Sequence, residues 1–421
     1  MPVTGIDGTA VDALDGEPLD WRFKAIPASA QGMTVAQARD ARLPLDDFGT
    51  PLLTLDGGAL DHNVRLMADW VSAAGMELAP HGKTTMAPAL WRRQLDAGAW
   101  GITLATFPQL RVARAFGVRR LLLAGAPLDP AGLAWLAGEL DGDPEFAFVC
   151  WADSVRSVEL MDEALRLARA QRRVDVCVEL GGPNGRTGVR DDGEARAVAG
   201  AIREAPSLRL AGIGGYEGAL AHDASAEGLA AVDAYLRRLA NLHGRLDYET
   251  DEPVVTAGGS AFFDQVAEVL GGLDARVVLR SGAYLVHDDG FYQDITPFDR
   301  GAGAGGEHLR PAMHAWGRVV SAPEPALALL DVGRRDVPFD SGLPRPQFVR
   351  GKGAGPVEGA RVTALNDQHA FLRGASVEPG DIVRLGLSHP CTALDKWTLI
   401  PVVDDAAAEH PVVTDYVRTY F

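Results

Sequence analysis

Cysteine is scarce in this sequence, with three residues among 421, at Cys150, Cys177 and Cys391. An odd and sparse count is not a disulfide framework, so we expect a protein of the reducing cytoplasm. Cys150 and Cys177 lie inside the apolar runs FAFVCW and VDVCVEL, which predicts that both thiols are buried in the core.

Positive charge is also in short supply. Lysine and arginine number 40 against 57 acidic residues, which gives a formal net charge of −17. This balance argues against a nucleic-acid partner.

No apolar run reaches about 18 residues, so we expect no membrane span. The segment MPVTGIDGTAVDALDGEP has no cationic region and no apolar core, and we expect that it is not a signal peptide.

Short apolar segments recur along the middle of the chain and alternate with helical patterns. Leu60, Val64, Met67 and Val71 share one helical face. Each strand-like segment ends at glycine, proline or a polar residue. These segments are MELAP (76–80), GITLA (101–105), RLLLAG (120–125), EFAFVCW (145–151), VDVCVEL (174–180), RLAGIGG (209–215), PVVTAGG (253–259) and ARVVLRSG (275–282).

This alternation predicts a parallel sheet that helices cover on the outside. Eight units fit an α/β protein with a closed (β/α)8 barrel of the TIM type. A doubly wound open sheet is the competing arrangement, but PHGKTT stands after the first strand in place of the dinucleotide fingerprint G-x-G-x-x-G.

The pattern changes after residue 295, and beyond about residue 310 short strands and turns replace the helical periodicity. We therefore expect three parts. Residues 1–50 form an N-terminal extension that packs partly on the β domain, residues 51–300 form the barrel, and residues 310–421 form a C-terminal β domain. A cleft between two domains is a common place for a binding site.

Lys83 follows the first predicted barrel strand, and catalytic residues of such barrels lie at the carboxyl ends of strands. Beside an apolar wall and His81, desolvation can lower the pKa of a lysine, which would then serve as a Schiff-base nucleophile. Position alone leaves open that Lys83 is a solvated loop lysine.

Glycine-rich turns follow the last two barrel strands, as TAGGS (256–260) and RSGAY (280–284). Backbone N–H groups of Gly258, Gly259 and Ser260 at a helix start can cradle an anion. Barrels bind phosphate at the turns after their seventh and eighth strands, so the pair favours a phosphate site over simple turn glycines.

Two further motifs follow the middle strands. GGPNGRTGVR places Arg186 at the barrel mouth, near a pyridine nitrogen if one is bound, although a surface arginine fits as well. GYEGALAH contributes Tyr216, which can hydrogen-bond a phosphate or ring oxygen. It also contributes His222, a candidate acid or base that could equally be structural.

The segment SHPC brings His389 and Cys391 two residues apart. On a strand, residues i and i+2 face the same side, so an imidazole and a thiolate could converge on a metal. Zinc suits that donor mixture. The spacing alone is a weak motif, and chance proximity stays open.

These motifs, in this order, resemble a known family. PHGKTTMAP, GGPNGRTGV, GYEGALAH, TAGGS, RSGAY, NDQHAF and SHPC are similar to those of the D-serine dehydratase and D-threonine aldolase group of pyridoxal-phosphate enzymes. That group has an alanine racemase-like fold, which is a barrel plus a C-terminal β domain. The resemblance runs from about residue 50 to 400 and leaves the first 45 residues uncovered.

The resemblance implies roles one residue at a time. Lys83 matches the lysine that forms the Schiff base with pyridoxal 5′-phosphate, and His222 matches a histidine near the substrate of aldolases. His389 and Cys391 match a metal pair, and the His–Cys form is typical of dehydratases that use zinc. The remaining matches are to cofactor-binding residues, at Arg186, Tyr216, Gly258, Gly259, Ser260, Ser281, Gly282 and Tyr284.

The implied activity is the conversion of a small D-β-hydroxy amino acid, such as D-serine or D-threonine, to a 2-oxo acid and ammonia. A metal-dependent retro-aldol lyase, an amino acid racemase and a non-enzymatic cofactor carrier are the alternatives. Many members carry histidine where this chain has Thr85, which leaves the substrate open. The resemblance also implies a homodimer.

Overall fold

The computed structural model describes residues 5–183, 185–301, 306–351 and 354–421. Two sheets, one parallel and one mostly antiparallel, organise this part of the chain. Within it, no helix is long and apolar enough to cross a membrane.

The first sheet is an eight-stranded parallel barrel whose strands coincide with the eight apolar segments of the sequence. Strands β2 and β3 close it, because Trp100 N–H donates to Leu78 O (2.7 Å) and Thr103 N–H donates to Pro80 O (2.9 Å). Its strands are β2 (Glu77–Leu78), β3 (Ile102–Leu104), β4 (Arg120–Leu123), β5 (Ala147–Ala152), β6 (Val174–Leu180), β7 (Leu208–Gly215), β8 (Val254–Ala257) and β9 (Arg276–Leu279).

Helices follow most of these strands and cover the barrel. In α3 the predicted face of Leu60, Val64, Met67 and Val71 is buried, which confirms the helical spacing. The helices of the barrel layer are α3 (Gly57–Ala73), α4 (Pro88–Asp96), α5 (Phe107–Ala115), α6 (Pro130–Gly142), α7 (Val155–Leu167), α8 (Asp192–Glu204), α9 (Ala226–His243) and α10 (Phe263–Leu270).

The second sheet has ten strands, nine of which come from the C-terminal part of the chain. They are β10 (Met313–Glu324), β11 (Leu327–Leu330), β12 (Arg345–Arg350), β13 (Gly355–Pro356), β14 (Arg361–Leu365), β15 (Ala370–Arg373), β16 (Ile382–Gly386), β17 (Leu399–Val403) and β18 (Val413–Arg418). A short helix, α11 (Pro390–Leu394), connects β16 to β17.

The tenth strand, β1 (Leu52–Asp56), comes from the segment that we assigned to the barrel. It pairs antiparallel with β10 and parallel with β17, and it therefore lies in the centre of the second sheet. The chain enters the barrel only through α3, which starts directly after β1.

The N-terminal segment contacts both sheets. Leu19, Phe23 and Phe48 pack in one buried cluster with Trp316 and Tyr416 of the second sheet. Toward the barrel, Asp7 N–H donates to Phe116 O and Arg119 N–H donates to Gly5 O. The segment contains the short helices α1 (Gly8–Asp12) and α2 (Val35–Ala41).

Candidate active site

A cavity of about 700 Å³ lies at the carboxyl ends of the barrel strands and also reaches the connection that follows β16 of the second sheet. Loops after β2, β6, β7, β8 and β9 line it, together with the start of α11. It brings together eight of the residues singled out from the sequence, which are Lys83, Arg186, Tyr216, Gly259, Ser260, Gly282, His389 and Cys391.

Lys83 lies in the single helical turn Gly82–Thr84 beyond β2, half buried in this cavity. Burial lowers the pKa of its amine; the neighbouring Cys391 opposes this shift, while the positive Arg186 and Arg280 add to it. A lower pKa raises the fraction of neutral amine, which is the form that attacks a carbonyl carbon. Thr85, the residue that departs from the family pattern, is buried and is not among the lining residues.

The two glycine loops lie side by side. Ser281 Oγ donates to Gly259 O (2.7 Å), and Ala283 N–H donates to Ser260 Oγ (3.2 Å). A Cβ on Gly282 would lie 2.7 Å from a backbone oxygen of His81, so only glycine allows this loop to approach the lysine loop so closely. The loops after the last two strands therefore form one wall of the cavity.

Gly258 and Gly259 use their N–H groups differently from our expectation. Both donate to the carboxylate of the fully buried Glu217, at 2.8 and 2.6 Å. These two donors are therefore already paired within the protein. The backbone N–H groups of Ser260 and Gly282, two residues that line the cavity, donate to no other described residue and can bind an anion.

Arg186 is exposed at the cavity, and its guanidinium lies 4.9 Å from the ring centre of Tyr216. Close by, Thr187 Oγ1 donates to the buried Glu179 carboxylate (2.5 Å). Burial raises the pKa of Glu179 and also that of Tyr216. The neighbouring Asn184 lies outside the described residues.

Sequence reasoning missed Arg280, the most deeply buried cation of the cavity wall. It is 2% exposed, donates to Thr256 Oγ1 (2.5 Å) and Gly215 O (2.6 Å), and stacks 4.7 Å from the ring centre of Trp151. An arginine at the end of the apolar segment ARVVLR is unusual, and this position could have identified Arg280 as a candidate site residue.

His389 and Cys391 also line the cavity. The prediction that they lie on a strand was wrong. Strand β16 ends at Gly386, His389 adopts a left-handed conformation (φ 48°), and Cys391 lies in the first turn of α11. Pro390 explains the change, because its fixed φ favours the first position of a helix.

The two side chains interact with each other and with the lysine loop. Cys391 Sγ lies 3.4 Å from Thr84 Oγ1. Burial raises the pKa of Cys391, but hydrogen bonds with His389 and Thr84 and the charges of His389 and Lys83 outweigh it, so the net pKa is lowered. The hydrogen bond with Cys391 is the main reason that the pKa of His389 rises to about 9.

Four of the predicted residues do not line the cavity. His222 is exposed in the loop between β7 and α9 and does not line the cavity. Tyr284 points its hydroxyl away, because Gln94 Nε2 donates to it (3.0 Å) inside the helical layer. Gly258 and Ser281 do not line the cavity either, but they hydrogen-bond to Glu217 and Gly259 respectively.

Pyridoxal phosphate fits these residues. The Lys83 amine can bind its aldehyde carbon, and the open N–H groups of Ser260 and Gly282 can bind its phosphate. Three buried polar atoms of the lining residues also lack a partner in the described chain, which are His81 Nδ1, Trp151 Nε1 and Arg280 Nε.

A soft divalent metal fits His389 and Cys391, since imidazole and thiolate are donors that zinc accepts. The described parts of the chain hold no group of three or more His, Cys, Asp and Glu side chains placed to bind a metal. Two protein donors leave several coordination positions for water and substrate, which is a feature of catalytic rather than structural sites.

A closed barrel with a lysine beyond its first strand, two adjacent glycine loops beyond its last two strands and a following β domain defines the alanine racemase-like class of fold. Comparisons with known proteins agree. The alanine racemase N-terminal domain model matches residues 55–269, and a serine dehydratase domain model matches residues 312–403.

The chain is similar to D-threonine aldolase of Arthrobacter sp., with 29% identity over 87% of this chain and 92% of that protein. It also resembles the crystal structure of D-threonine aldolase from Filomicrobium marinum (25% identity, TM-score 0.75, 90% and 96% of the chains). D-threo-3-hydroxyaspartate dehydratase from Delftia sp. HT23 shares the fold (20% identity, TM-score 0.67, 88% and 97%).

The chain therefore belongs to the fold-type III pyridoxal-phosphate family of D-serine dehydratases and D-threonine aldolases. It is a pyridoxal-phosphate-dependent lyase of D-amino acids.

Proposed function

We propose that the protein is a zinc-dependent D-amino acid dehydratase, which converts a small D-β-hydroxy amino acid such as D-serine or D-threonine to a 2-oxo acid and ammonia. One observation carries the proposal. Lys83, His389 and Cys391 share one cavity. One bound substrate could therefore contact both the amine that would take its α-proton and the metal, held by the imidazole and the thiolate, that would bind its β-hydroxyl. Elimination needs both groups.

When bound, pyridoxal phosphate withdraws electrons from the bonds at Cα, and a zinc ion makes the β-hydroxyl a better leaving group. Lys83, Ser260 and Gly282 would hold the cofactor, and His389 and Cys391 would hold the metal. Proton transfer and substrate binding are then the tasks of the protein's own side chains.

Lys83 is the residue that we assign to the α-proton. Its lowered pKa favours the neutral amine, which would accept the α-proton of a bound substrate. Removal of the α-proton and departure of the β-hydroxyl together release water. The enamine that results becomes an imine, and water hydrolyses it to the 2-oxo acid and ammonia.

The cations of the cavity favour a substrate with one carboxylate. Both terminal nitrogens of Arg280 already donate within the protein, whereas the guanidinium of Arg186 makes no hydrogen bond to another described residue. Arg186 can therefore bind the α-carboxylate, as an alternative to the contact with the pyridine nitrogen that the sequence predicts. A second carboxylate would find one free guanidinium donor among the described lining residues, the buried Arg280 Nε, so we propose that 3-hydroxy-D-aspartate is a poorer substrate than D-threonine.

A retro-aldol lyase is the second candidate, and the similarity to D-threonine aldolase supports it. That reaction needs a base for the β-hydroxyl. The exposed position of His222 gives no support for that role, and the Cys391 donor favours elimination.

The two functions differ in their products. We propose to incubate the cofactor- and zinc-loaded protein with D- and L-serine, D- and L-threonine and 3-hydroxy-D-aspartate, with and without a chelator. A dehydratase releases ammonia from the D-β-hydroxy amino acids only when zinc is present. Release of glycine and an aldehyde instead would refute the dehydratase, and racemisation without ammonia would indicate a racemase.

Homodimerisation stays a prediction that sedimentation of the holoenzyme can test.

A further inference from the structure

Asp340 is an acidic residue next to the proposed metal donors that sequence reasoning did not single out. It lies in the loop between β11 and β12, and its Oδ2 is 2.5 Å from His389 Nδ1. Its other oxygen, Oδ1, accepts a hydrogen bond from Thr392 Oγ1 (2.7 Å). Both carboxylate oxygens are therefore engaged, one by the imidazole and one by the first turn of α11.

This contact determines which nitrogen of His389 can bind a metal. A neutral imidazole carries one proton, and a carboxylate beside Nδ1 holds that proton on Nδ1. The lone pair is then on Nε2, on the opposite side of the ring. Carboxylates that hold a metal-binding histidine in this way also fix the orientation of the ring.

The backbone gives a second reason for such a support. His389 has a φ of 48°, in the left-handed region that a residue with a side chain seldom adopts without support from its surroundings. Thr392, whose hydroxyl donates to Asp340, also donates its backbone N–H to His389 O (3.2 Å). Asp340 and Thr392 thus hold both the ring and the backbone of His389.

We infer that Asp340 is a positioning residue that presents His389 Nε2 to the metal. The inference rests on the proposed metal role of His389 and Cys391. If it is correct, Asp340→Asn lowers zinc affinity about 10- to 100-fold, because loss of such a carboxylate partner typically has that effect. The visible absorbance of the bound cofactor stays unchanged, since Lys83 and the glycine loops are untouched.

The test is a competition titration of zinc with a chromophoric chelator. It uses the cofactor-loaded wild type, Asp340→Asn, Thr392→Val and, as a matched control, Asp367→Asn. Asp367 is an exposed carboxylate of the same part of the chain and pairs with Arg335 at 3.4 Å. Thr392→Val retains the carboxylate and removes one of its hydrogen bonds, so we expect a smaller loss of affinity. A thermal unfolding midpoint near that of the wild type separates positioning from general structural damage.

The outcomes are distinguishable. Equal zinc affinity of wild type and Asp340→Asn overturns the inference and leaves the proposed function intact. If Asp340→Asn does not fold, unchanged affinity of Thr392→Val together with unchanged affinity of a folded Asp340→Glu variant also overturns it. A wild type that binds no zinc at this site, so that His389→Ala makes no difference, overturns the proposed metal role and the inference together.

Discussion

Glu217 offers a direct test of how the cofactor wall is built. Its carboxylate is fully buried and accepts the N–H groups of Gly258 and Gly259 at 2.8 and 2.6 Å. Glu217→Gln retains the shape but replaces one acceptor oxygen with an NH₂ group. One of the two glycine N–H groups then faces a donor, and a buried donor without a partner costs about 1–3 kcal/mol.

We therefore expect Glu217→Gln to lower the free energy of unfolding by about 1–3 kcal/mol in urea denaturation of the cofactor-free protein. Affinity for pyridoxal phosphate should fall as well, because the displaced glycines precede Ser260. Glu227→Gln is the matched control, since Glu227 is exposed in the first turn of α9, where changes stay within about 0.5 kcal/mol. A Glu217→Gln protein as stable as this control would refute the reasoning.

Three further predictions concern the cofactor, the metal and pH. Lys83→Ala should abolish the visible absorbance of the bound cofactor, and a retained band would exclude Lys83 as its attachment point. Cys391→Ala should retain that band and lose both zinc, measured by elemental analysis, and ammonia release; full turnover in a chelated sample would contradict it. Burial, with the charge of Arg384, lowers the pKa of His314 to about 4. The unfolded chain thus binds more protons below pH 6.5, and stability falls by up to about 3 kcal/mol as pH drops to 4. His314→Gln should reduce the dependence of the free energy of unfolding on pH, measured by urea denaturation at several pH values. An unchanged dependence would contradict the lowered pKa of a buried His314.

The barrel was predictable because each strand is buried on both sides and is therefore continuous in apolar residues. All eight segments became strands in the predicted order. Local pattern does not show which sheet a strand joins. Strand β1 (LLTLD) has the composition of a barrel strand, yet its partners β10 and β17 lie more than 250 residues away in sequence.

The candidate site was predictable where glycine and lysine follow a strand, since those positions converge at one end of a barrel. Side-chain direction was not predictable in the same way. Tyr284 follows the correct loop but turns its hydroxyl to Gln94, and Gly258 gives its N–H to Glu217. The pairing of Asp340 with His389 joins two loops 49 residues apart, and no spacing rule marks it.

Product analysis with D-threonine tests the central claim most directly. The zinc- and cofactor-loaded wild type is incubated with D-threonine, and ammonia, 2-oxobutanoate, glycine and acetaldehyde are quantified in the same sample. The proposed dehydratase predicts ammonia and 2-oxobutanoate in equal amounts, with little glycine. Glycine and acetaldehyde in equal amounts, with no ammonia, would contradict it.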